Sequence, residues 1–444
     1  MLLAGLPLLI DLPGITAQEL KDLVLGERVG NKILYVQIID RTPPLMAVID
    51  GFMNFFFGRS ILARHILALI ILFFQAAYFG ILLISNKAYN ENTYVPSLIF
   101  GFLCFFSFDL LALTPDLLAS TLLLLALNNI FKEIEFRVDR DSVVLNLGIF
   151  LGLASLIVFS YIVFLAGAIF VLVVFARTSL RKILLLLLGF GLAHMVLFTF
   201  YYAYGHSSDL WTNFYLGNLD RARIVSLGFR SMLVLGAVPI AYFVISVFML
   251  TREARFTRYQ SQIFQVLFLW MFLAAIQMII APEIAPHAFM TFLPPMAYLI
   301  SHYLLLIRRK RIAEFMLWIF LLGILSVGIS ARQKWITQVD YSAMFSKPSP
   351  YADRISNKRI MIVGEDIDLF RRNSLGGFFL DWDLSHEYFE HPEYYDNIIR
   401  MNEAFNEDAP DVIIDELNLM EAVLDRLPRI RKLYKKDGLI YWRI

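Results

Sequence analysis

The distribution of apolar residues constrains this chain most. Long apolar blocks recur up to residue 330 and then stop, and the chain from Ser346 to Ile444 has the composition of a water-soluble domain. The whole chain is 59% hydrophobic, whereas ordinary globular proteins are roughly 45–50% apolar. Because an apolar helix of roughly 20 residues crosses the hydrocarbon core of a bilayer, the blocks predict a polytopic membrane protein.

The blocks predict a mainly α-helical bundle of about eleven membrane spans. The first block, at 1–11, is short for a span, and we expect it either to continue a helix that begins upstream or to cross the membrane at a tilt. The predicted spans are 1–11, 61–84, 94–109, 115–131, 143–158, 160–176, 183–203, 232–250, 262–280, 288–307 and 313–330.

Lysine and arginine alternate along the connections between these spans. The connections after the fourth, sixth, eighth and tenth spans are basic, and the intervening ones carry few cations, with 204–231 as the exception. Since basic loops stay on the cytoplasmic side, segment 11–60, loop 204–231 and the C-terminal domain are predicted to face outside. The predicted domains are a transmembrane domain at 1–335 and a small extracytoplasmic α/β domain at 346–444.

Composition also bears on compartment and partners. The net charge is +1, which gives no sign of a nucleic-acid partner. The single cysteine, Cys104, lies in an apolar block and can form no internal disulfide. The positive-inside pattern without an organellar signal favours a bacterial inner membrane.

The C-terminal segment has the pattern of a small α/β domain with a parallel pair of strands. Buried strands are predicted at Arg359–Val363 and Asp411–Ile414, and helices at Met401–Glu407 and Leu417–Leu427. The segment has no glycine-rich phosphate loop, no Cys/His cluster and no evident catalytic grouping, so we interpret it as a lid or docking domain.

The outer segment 11–60 is more than a plain loop. Leu20, Leu23 and Val24 have helical spacing, and an extended stretch is predicted from Ile33 to Ile39. A second apolar helix, Leu45 to Phe57, has a phenylalanine-rich face that is typical of a helix lying in the membrane interface.

Two acids in this outer segment are candidate catalytic residues. Glu19 follows Thr16 by three residues, so the two could form a capping box, and a capping carboxylate can still point into a cavity. Asp40 precedes Arg41 and a Pro-Pro pair that starts a helix. Asp40 could therefore cap that helix, pair with Arg41 or bind substrate.

Two further acids, Asp109 and Asp116, flank the outer corner between the third and fourth spans. Thr114-Pro115-Asp116 is a good helix start, which accounts for Asp116 locally. Together with Glu19 and Asp40, however, these acids predict an outer acidic cluster with few local cations. Such a cluster suits a general base, a cationic group or a divalent metal ion; no other cofactor is evident.

Candidate cations for an anionic group lie on the same predicted side. His287 enters the tenth span, and Arg221, Arg223 and Arg230 lie in loop 204–231. The alternatives are that His287 reaches the interface as a snorkelling side chain and that the arginines belong to a solvated loop. Together they could bind a lipid phosphate.

These motifs resemble the GT-C superfamily of polytopic glycosyltransferases, in the branch of protein O-mannosyltransferases and the lipid A aminoarabinose transferase. The resemblance is carried by Glu19, by Asp40 with Pro43-Pro44-Leu45, by Phe57-Gly58-Arg59-Ser60, by Thr114-Pro115-Asp116, and by Pro286-His287 with Leu293-Pro294-Pro295. The family's first outer loop usually carries a paired Asp-Glu, whereas this chain has Gln18-Glu19.

The resemblance implies an inverting transfer of a sugar from a polyprenyl-phosphate-linked donor to an acceptor on the outer, periplasmic face. An outer carboxylate (Glu19, Asp40 or Asp116) would deprotonate the acceptor hydroxyl. Basic groups would hold the leaving phosphate, with Asp109 nearby. Other membrane proteins are further possible partners, and the acceptor is open.

Two other hypotheses stay open. The chain could be a non-catalytic GT-C-like subunit or scaffold of a larger complex, because Gln18 stands where the family has an acid. A transporter is disfavoured, since no inverted repeat and no matching pair of Gly/Pro-broken spans is visible.

Overall fold

The computed structural model describes residues 14–135, 141–219, 224–253 and 256–444. These residues form two compact units. The first unit contains 62–200 and 224–341, and the second contains 14–61, 201–219 and 342–444. Each unit is described below by itself. The predicted first span lies outside the described residues.

The first unit is a bundle of apolar helices. Within the described part of the chain, six helices are long and apolar enough to cross a membrane, and a bent pair, Phe229–Leu235 with Ala237–Arg252, makes a seventh if it is one span. The bend of this pair is 68°. The six helices are Ile61–Ser85, Pro115–Ile134, Leu180–Ala203, Arg258–Ile280, Pro286–Leu306 and Lys310–Arg332.

Three other predicted spans coincide with shorter apolar helices, at Val95–Phe106, Asp141–Ile157 and Phe159–Val174. Every predicted span after the first falls on an apolar helix or helix pair. These three helices are too short to count as spans by length alone, so the count of eleven crossings is not confirmed. The helices mostly extend beyond the predicted bounds, because hydropathy marks only the apolar part of a helix.

Glycine lets two of these helices approach closely. A Cβ added to Gly148, in Asp141–Ile157, would lie 2.2 Å from the carbonyl oxygen of Leu186. A Cβ on Gly189, in Leu180–Ala203, would lie 2.3 Å from the carbonyl oxygen of Leu145. The backbones of the two helices are therefore in direct contact, as small residues allow in membrane helix pairs.

The second unit contains a five-stranded mixed sheet. Arg359–Val363 pairs in parallel with Val412–Asp415, with Ile360 opposite Val412, which confirms the predicted parallel pair. The hairpin at the C-terminus adds two antiparallel strands. The strand order is Ser374–Leu375, Arg359–Val363, Val412–Asp415, Ile440–Arg443, Tyr434–Asp437.

Helices cover this sheet and supply its core. The predicted helices fall on Tyr395–Glu407, which begins before the predicted Met401, and on Met420–Arg426. The helices Trp382–Glu390 and Pro428–Arg431 were not predicted. Buried side chains that include Phe378, Phe389 and Ile413 form one apolar cluster. Ile39 belongs to the same cluster, so segment 14–61 contributes to this core.

Segment 14–61 contains the two predicted helices, Ala17–Val29 and Pro44–Phe57. The predicted extended stretch from Ile33 to Ile39 is wrong: the chain turns tightly there, with Tyr35 at a φ of 67° and a hydrogen bond from Tyr35 N to Ile38 O. The predicted phenylalanine-rich face is exposed, with Phe55 82% accessible. Its place in a membrane interface stays a prediction.

Candidate functional site

Three of the sequence-predicted site residues meet in the first unit. Asp109 Oδ2 accepts hydrogen bonds from the backbone N–H of His287 at 2.9 Å and lies 2.8 Å from His287 Nδ1. His287 Nε2 lies 3.5 Å from Asp116 Oδ2. All three side chains are buried. The structure thus joins the acidic corner and the predicted cation in one network, with the imidazole between the two carboxylates.

Local sequence explains how these side chains are placed. Thr114 caps the helix Pro115–Ile134 by accepting a hydrogen bond from Leu117 N, as predicted, so Asp116 falls in the first turn. There its carboxylate lies near the positive end of the helix dipole. Pro286 starts the 3-10 turn Pro286–Phe292, which carries His287.

A tyrosine that the sequence analysis missed completes the network. Tyr161 is fully buried and donates its hydroxyl hydrogen to Asp116 Oδ1 at 2.8 Å. It lies in the 3-10 turn Phe159–Ile162 between two apolar helices. In the sequence, Ser160 and Tyr161 indicate only a turn between two apolar segments. Both oxygens of Asp116 therefore face a partner.

Glu283 adds a further negative charge close to Asp116 and His287. Its carboxylate accepts a hydrogen bond from the Ser226 hydroxyl. The short parallel pairing of Ile224–Val225 with Glu283–Ile284 brings these residues together. Glu283 and Ser226 were also missed, because nothing in the local sequence indicates this pairing.

This arrangement can hold and relay protons. A doubly protonated His287 would donate to both carboxylates, and Asp116 can accept a proton within a chain that continues to Asp109. It is less suited to an anion, because two or three carboxylates surround one imidazole. To contact a phosphate through Nε2, His287 would have to leave Asp116.

The predicted arginines are only partly described. Arg230 is exposed, in the first turn of Phe229–Leu235. Arg221 and Arg223 lie outside the described residues.

Glu19 and Asp40 belong to the second unit. Glu19 Oε2 accepts hydrogen bonds from the backbone N–H and the hydroxyl of Thr16, at 2.9 and 3.1 Å. Glu19 N donates to Thr16 Oγ1 at 3.2 Å. This is the predicted capping box, and it engages one oxygen of the carboxylate. Glu19 is buried.

Asp40 is 1% accessible and does not cap the following helix, whose N-cap residue is Pro43, so the capping interpretation was wrong. Its Oδ2 accepts a hydrogen bond from Thr42 N at 3.0 Å, closing a tight turn before the helix. Its Oδ1 is buried and has no hydrogen-bond partner among the described residues. A buried carboxylate oxygen without a donor is costly and marks a candidate site.

A cluster of charges beside Asp40 was not predicted. Arg41 donates from Nε and Nη2 to the two oxygens of Asp381, each at 2.7 Å, and also pairs with Asp383. Lys21 Nζ lies 3.0 Å from Asp381 Oδ2. Asp381 is 0% accessible. Because 340 residues separate Arg41 from Asp381, no local pattern indicates the pair.

The ionisation of this cluster follows from its charges. Burial by itself would raise the pKa of Asp381, but Lys21 and Arg41 outweigh burial and hold the pKa well below its usual range. Burial would likewise lower the pKa of Lys21, but Asp381 and Asp40 reverse that effect and raise the pKa above its ordinary value. The cluster is therefore charged at neutral pH.

The described residues contain no group of three or more His, Cys, Asp or Glu side chains arranged to hold a metal ion.

The comparisons with known proteins rest on structure. No family model and no curated protein matches the sequence. The structure is similar to the crystal structure of ArnT from Cupriavidus metallidurans bound to undecaprenyl phosphate, with 11% identity and a TM-score of 0.55 over 96% of this chain and 87% of ArnT.

Two structures of an oligosaccharyltransferase from Archaeoglobus fulgidus also match. One, a complex with zinc and sulfate, has 12% identity and a TM-score of 0.40 over 94% of this chain and 66% of its own. The other, AglB with an inhibitory peptide and a dolichol-phosphate, has 10% identity and a TM-score of 0.41 over 97% and 70%. The likeness to ArnT shows that this chain has the fold of the GT-C polytopic membrane glycosyltransferases, as the sequence resemblance predicted.

Proposed function

We propose that this protein transfers a sugar, with inversion, from a polyprenyl-phosphate-linked donor to an acceptor on the outer face of a bacterial inner membrane. The observation that carries the proposal is the likeness to ArnT along 96% of the chain, since that structure holds undecaprenyl phosphate. A lipid of this kind needs a groove between apolar helices, and the first unit is a bundle of such helices.

The reaction needs one base and one cationic site. The acceptor hydroxyl oxygen attacks the anomeric carbon of the sugar, and a carboxylate takes the hydroxyl proton. The bond between the anomeric carbon and the phosphate oxygen breaks, and the polyprenyl phosphate leaves with the electron pair. A cation near that oxygen stabilises the developing charge.

Asp40 is the general base that we favour. Its Oδ2 is held by Thr42 N at 3.0 Å, while its buried Oδ1 has no partner in the described part of the chain. A fixed carboxylate with one unengaged oxygen can accept a proton without first breaking a hydrogen bond. To reach an acceptor through Oδ1, Asp40 needs the side chains that cover this oxygen to move aside.

Asp116 is the second candidate base. Its two oxygens face Tyr161 and His287, and Asp109 on the far side of His287 can stabilise a proton that moves onward. Glu19 is the third candidate, and its capping box favours a structural role. Arg230, together with Arg221 and Arg223, would bind the leaving phosphate, and His287 would join them after releasing Asp116.

The test is a transfer assay on purified protein with a panel of polyprenyl-phosphate sugars, with release of polyprenyl phosphate as the readout. Replacing Asp40 by Asn is expected to lower turnover by about 10²–10⁴-fold, the usual contribution of a general base. Glu19→Gln is the matched control, because glutamine can also complete a capping box. We expect it to retain activity.

Two outcomes would reassign the roles. Full activity of Asp40→Asn with loss in Asp116→Asn would make Asp116 the base, and loss in Glu19→Gln alone would make Glu19 the base. Full activity of all three variants would contradict the proposed chemistry.

Arg230→Ala is expected to raise the KM for the donor. Adding EDTA tests whether a divalent cation takes part in the reaction.

The alternative function is a non-catalytic GT-C-like subunit of a larger membrane complex. It is favoured by one observation: Glu19 and Asp116 are engaged by Thr16, Tyr161 and His287 rather than left open. Stable co-purification with another membrane protein, without turnover of any donor, would support this alternative over the transferase.

A further inference from the structure

The backbone on the N-terminal side of Asp40 is held by the C-terminal segment. Ile39 N donates a hydrogen bond to Phe378 O at 2.6 Å. Leu380 N and Asp381 N both donate to Ile39 O, at 3.2 and 3.1 Å. Ile39 also packs in the apolar core of the C-terminal segment. The residue before Asp40 is thus fixed by three backbone hydrogen bonds and by burial.

The residue after Asp40 is fixed by charge. Arg41 makes a bidentate contact with the Asp381 carboxylate at 2.7 Å, which is a strongly directional geometry. Asp381 also binds Lys21 Nζ at 3.0 Å. The fully buried carboxylate of Asp381 therefore binds both Arg41, the residue after Asp40, and Lys21.

Asp381 and Asp40 both act on the charge of Lys21. Lys21 is close enough to Asp40 to interact with it electrostatically. After Asp381, Asp40 is the carboxylate whose charge acts most on Lys21, so loss of the Asp381 charge would favour an ion pair between Lys21 and Asp40. An ion pair there would engage the oxygen that is otherwise unoccupied and would weaken it as a base.

We propose that Asp381 is a positioning residue for Asp40: by binding Arg41 and Lys21 together, it fixes the Asp40 turn and leaves Asp40 Oδ1 available for a proton. The inference rests on the proposed function. It makes the C-terminal segment part of the catalytic architecture, in place of the lid or docking domain expected from sequence.

The first test is kinetic. Asp381→Asn is expected to lower kcat about tenfold or more while the donor KM changes little, because misplacement of a catalytic group costs turnover more than binding. Asp381→Glu, which keeps the charge, is expected to recover part of kcat. The matched control is Asp437→Asn, since Asp437 forms an exposed ion pair with Arg354 at 3.1 Å in the same segment. An equal loss in both Asn variants, or a change in KM alone, would overturn the proposal.

The second test needs no activity, so it separates this proposal from the proposed function. With Asp40 replaced by Cys, the rate of maleimide labelling reports how firmly position 40 is held. The only native cysteine, Cys104, is fully buried and gives little background. Labelling is expected to speed up about tenfold when Asp381→Asn is added. Equal rates with and without Asp381→Asn would overturn the positioning role even if sugar transfer is found. A rise at position 40 that is not shared by a cysteine at the buried Ile362 of the same unit would support the role even if no donor turns over, and an equal rise at both positions would overturn it.

Discussion

At the scale of single residues, two clusters of charged side chains among the described residues bear on the proposed chemistry. One is the network of Asp109, His287 and Asp116, and the other is Asp381 with Lys21 and Arg41. A buried charge is tolerated only with partners, and losing one partner leaves the others uncompensated. Both clusters should therefore affect stability as well as chemistry.

Acid stability of the second unit is expected to depend on Asp381. The pKa of Asp381 is depressed in the folded chain, so its stabilising effect is present above the unfolded pKa of about 3.9 and is lost as pH falls through the folded pKa. Thermal unfolding followed between pH 7 and pH 2 should show stability falling below about pH 4.

The variant Asp381→Asn should be less stable than the parent at neutral pH, because the partly exposed Lys21 and Arg41 would lose their shared carboxylate, and Arg41 would keep only Asp383. It should also show a weaker decline in acid. A variant as stable as the parent at pH 7 would contradict this account of the cluster.

At this scale the sequence predicted contacts between near neighbours in the chain but not those between distant residues. The Thr16–Glu19 and Thr114–Asp116 helix starts depend on neighbours three or four residues away, so their geometry could be predicted and is confirmed. Tyr161, Lys21 and Asp381 act through contacts between distant parts of the chain. Asp381 even stands at the N-cap position of Trp382–Glu390, yet its side chain makes no capping bond there.

At the scale of elements, the helix pair Asp141–Ile157 and Leu180–Ala203 shows why small residues matter in this bundle. The backbones approach at Gly148 and Gly189, where any added methyl group would meet a carbonyl oxygen. Such contacts leave no flexible side chain that could move aside. Helix existence was predictable here from hydropathy, whereas the packing partner was not.

Replacing Gly189 by Ala is expected to destabilise the bundle by about 1–3 kcal/mol, the usual cost of overpacking a tight contact. The matched control is Gly191→Ala in the same helix, because a Cβ at Gly191 meets nothing within 4 Å. That variant should be neutral or slightly stabilising. Thermal unfolding in detergent measures both, and equal effects of the two substitutions would contradict the close approach.

At the scale of the whole molecule, the arrangement in the membrane is still a prediction from the charged connections. The bundle of apolar helices could be predicted, because long apolar blocks are stable only when they are buried in a bilayer or in a protein core. The number of crossings could not, because short apolar helices such as Asp141–Ile157 and Phe159–Val174 lie below the length that marks a span. The α/β character of the C-terminal segment could be predicted from its strand pattern. That segment 14–61 belongs to the same compact unit could not be predicted.

The predicted orientation can be tested by labelling single cysteines in intact spheroplasts, in a Cys104→Ser background. A cysteine in place of Asp437 should react with a membrane-impermeant maleimide, because the tail is predicted to face outside. A cysteine in place of Arg309 should react only after permeabilisation, because its connection is basic and predicted to be cytoplasmic. The reverse pattern would contradict the orientation and the proposed outer-face reaction.

The central claim, use of a polyprenyl-phosphate-linked sugar, is tested most directly by binding of the lipid that every such donor would release. Purified protein should retain undecaprenyl phosphate in a saturable way and bind undecaprenol much more weakly, because the phosphate needs cations. Binding should weaken in high salt and in Arg230→Ala. Equal retention of undecaprenyl phosphate and undecaprenol, or retention of neither, would contradict the claim.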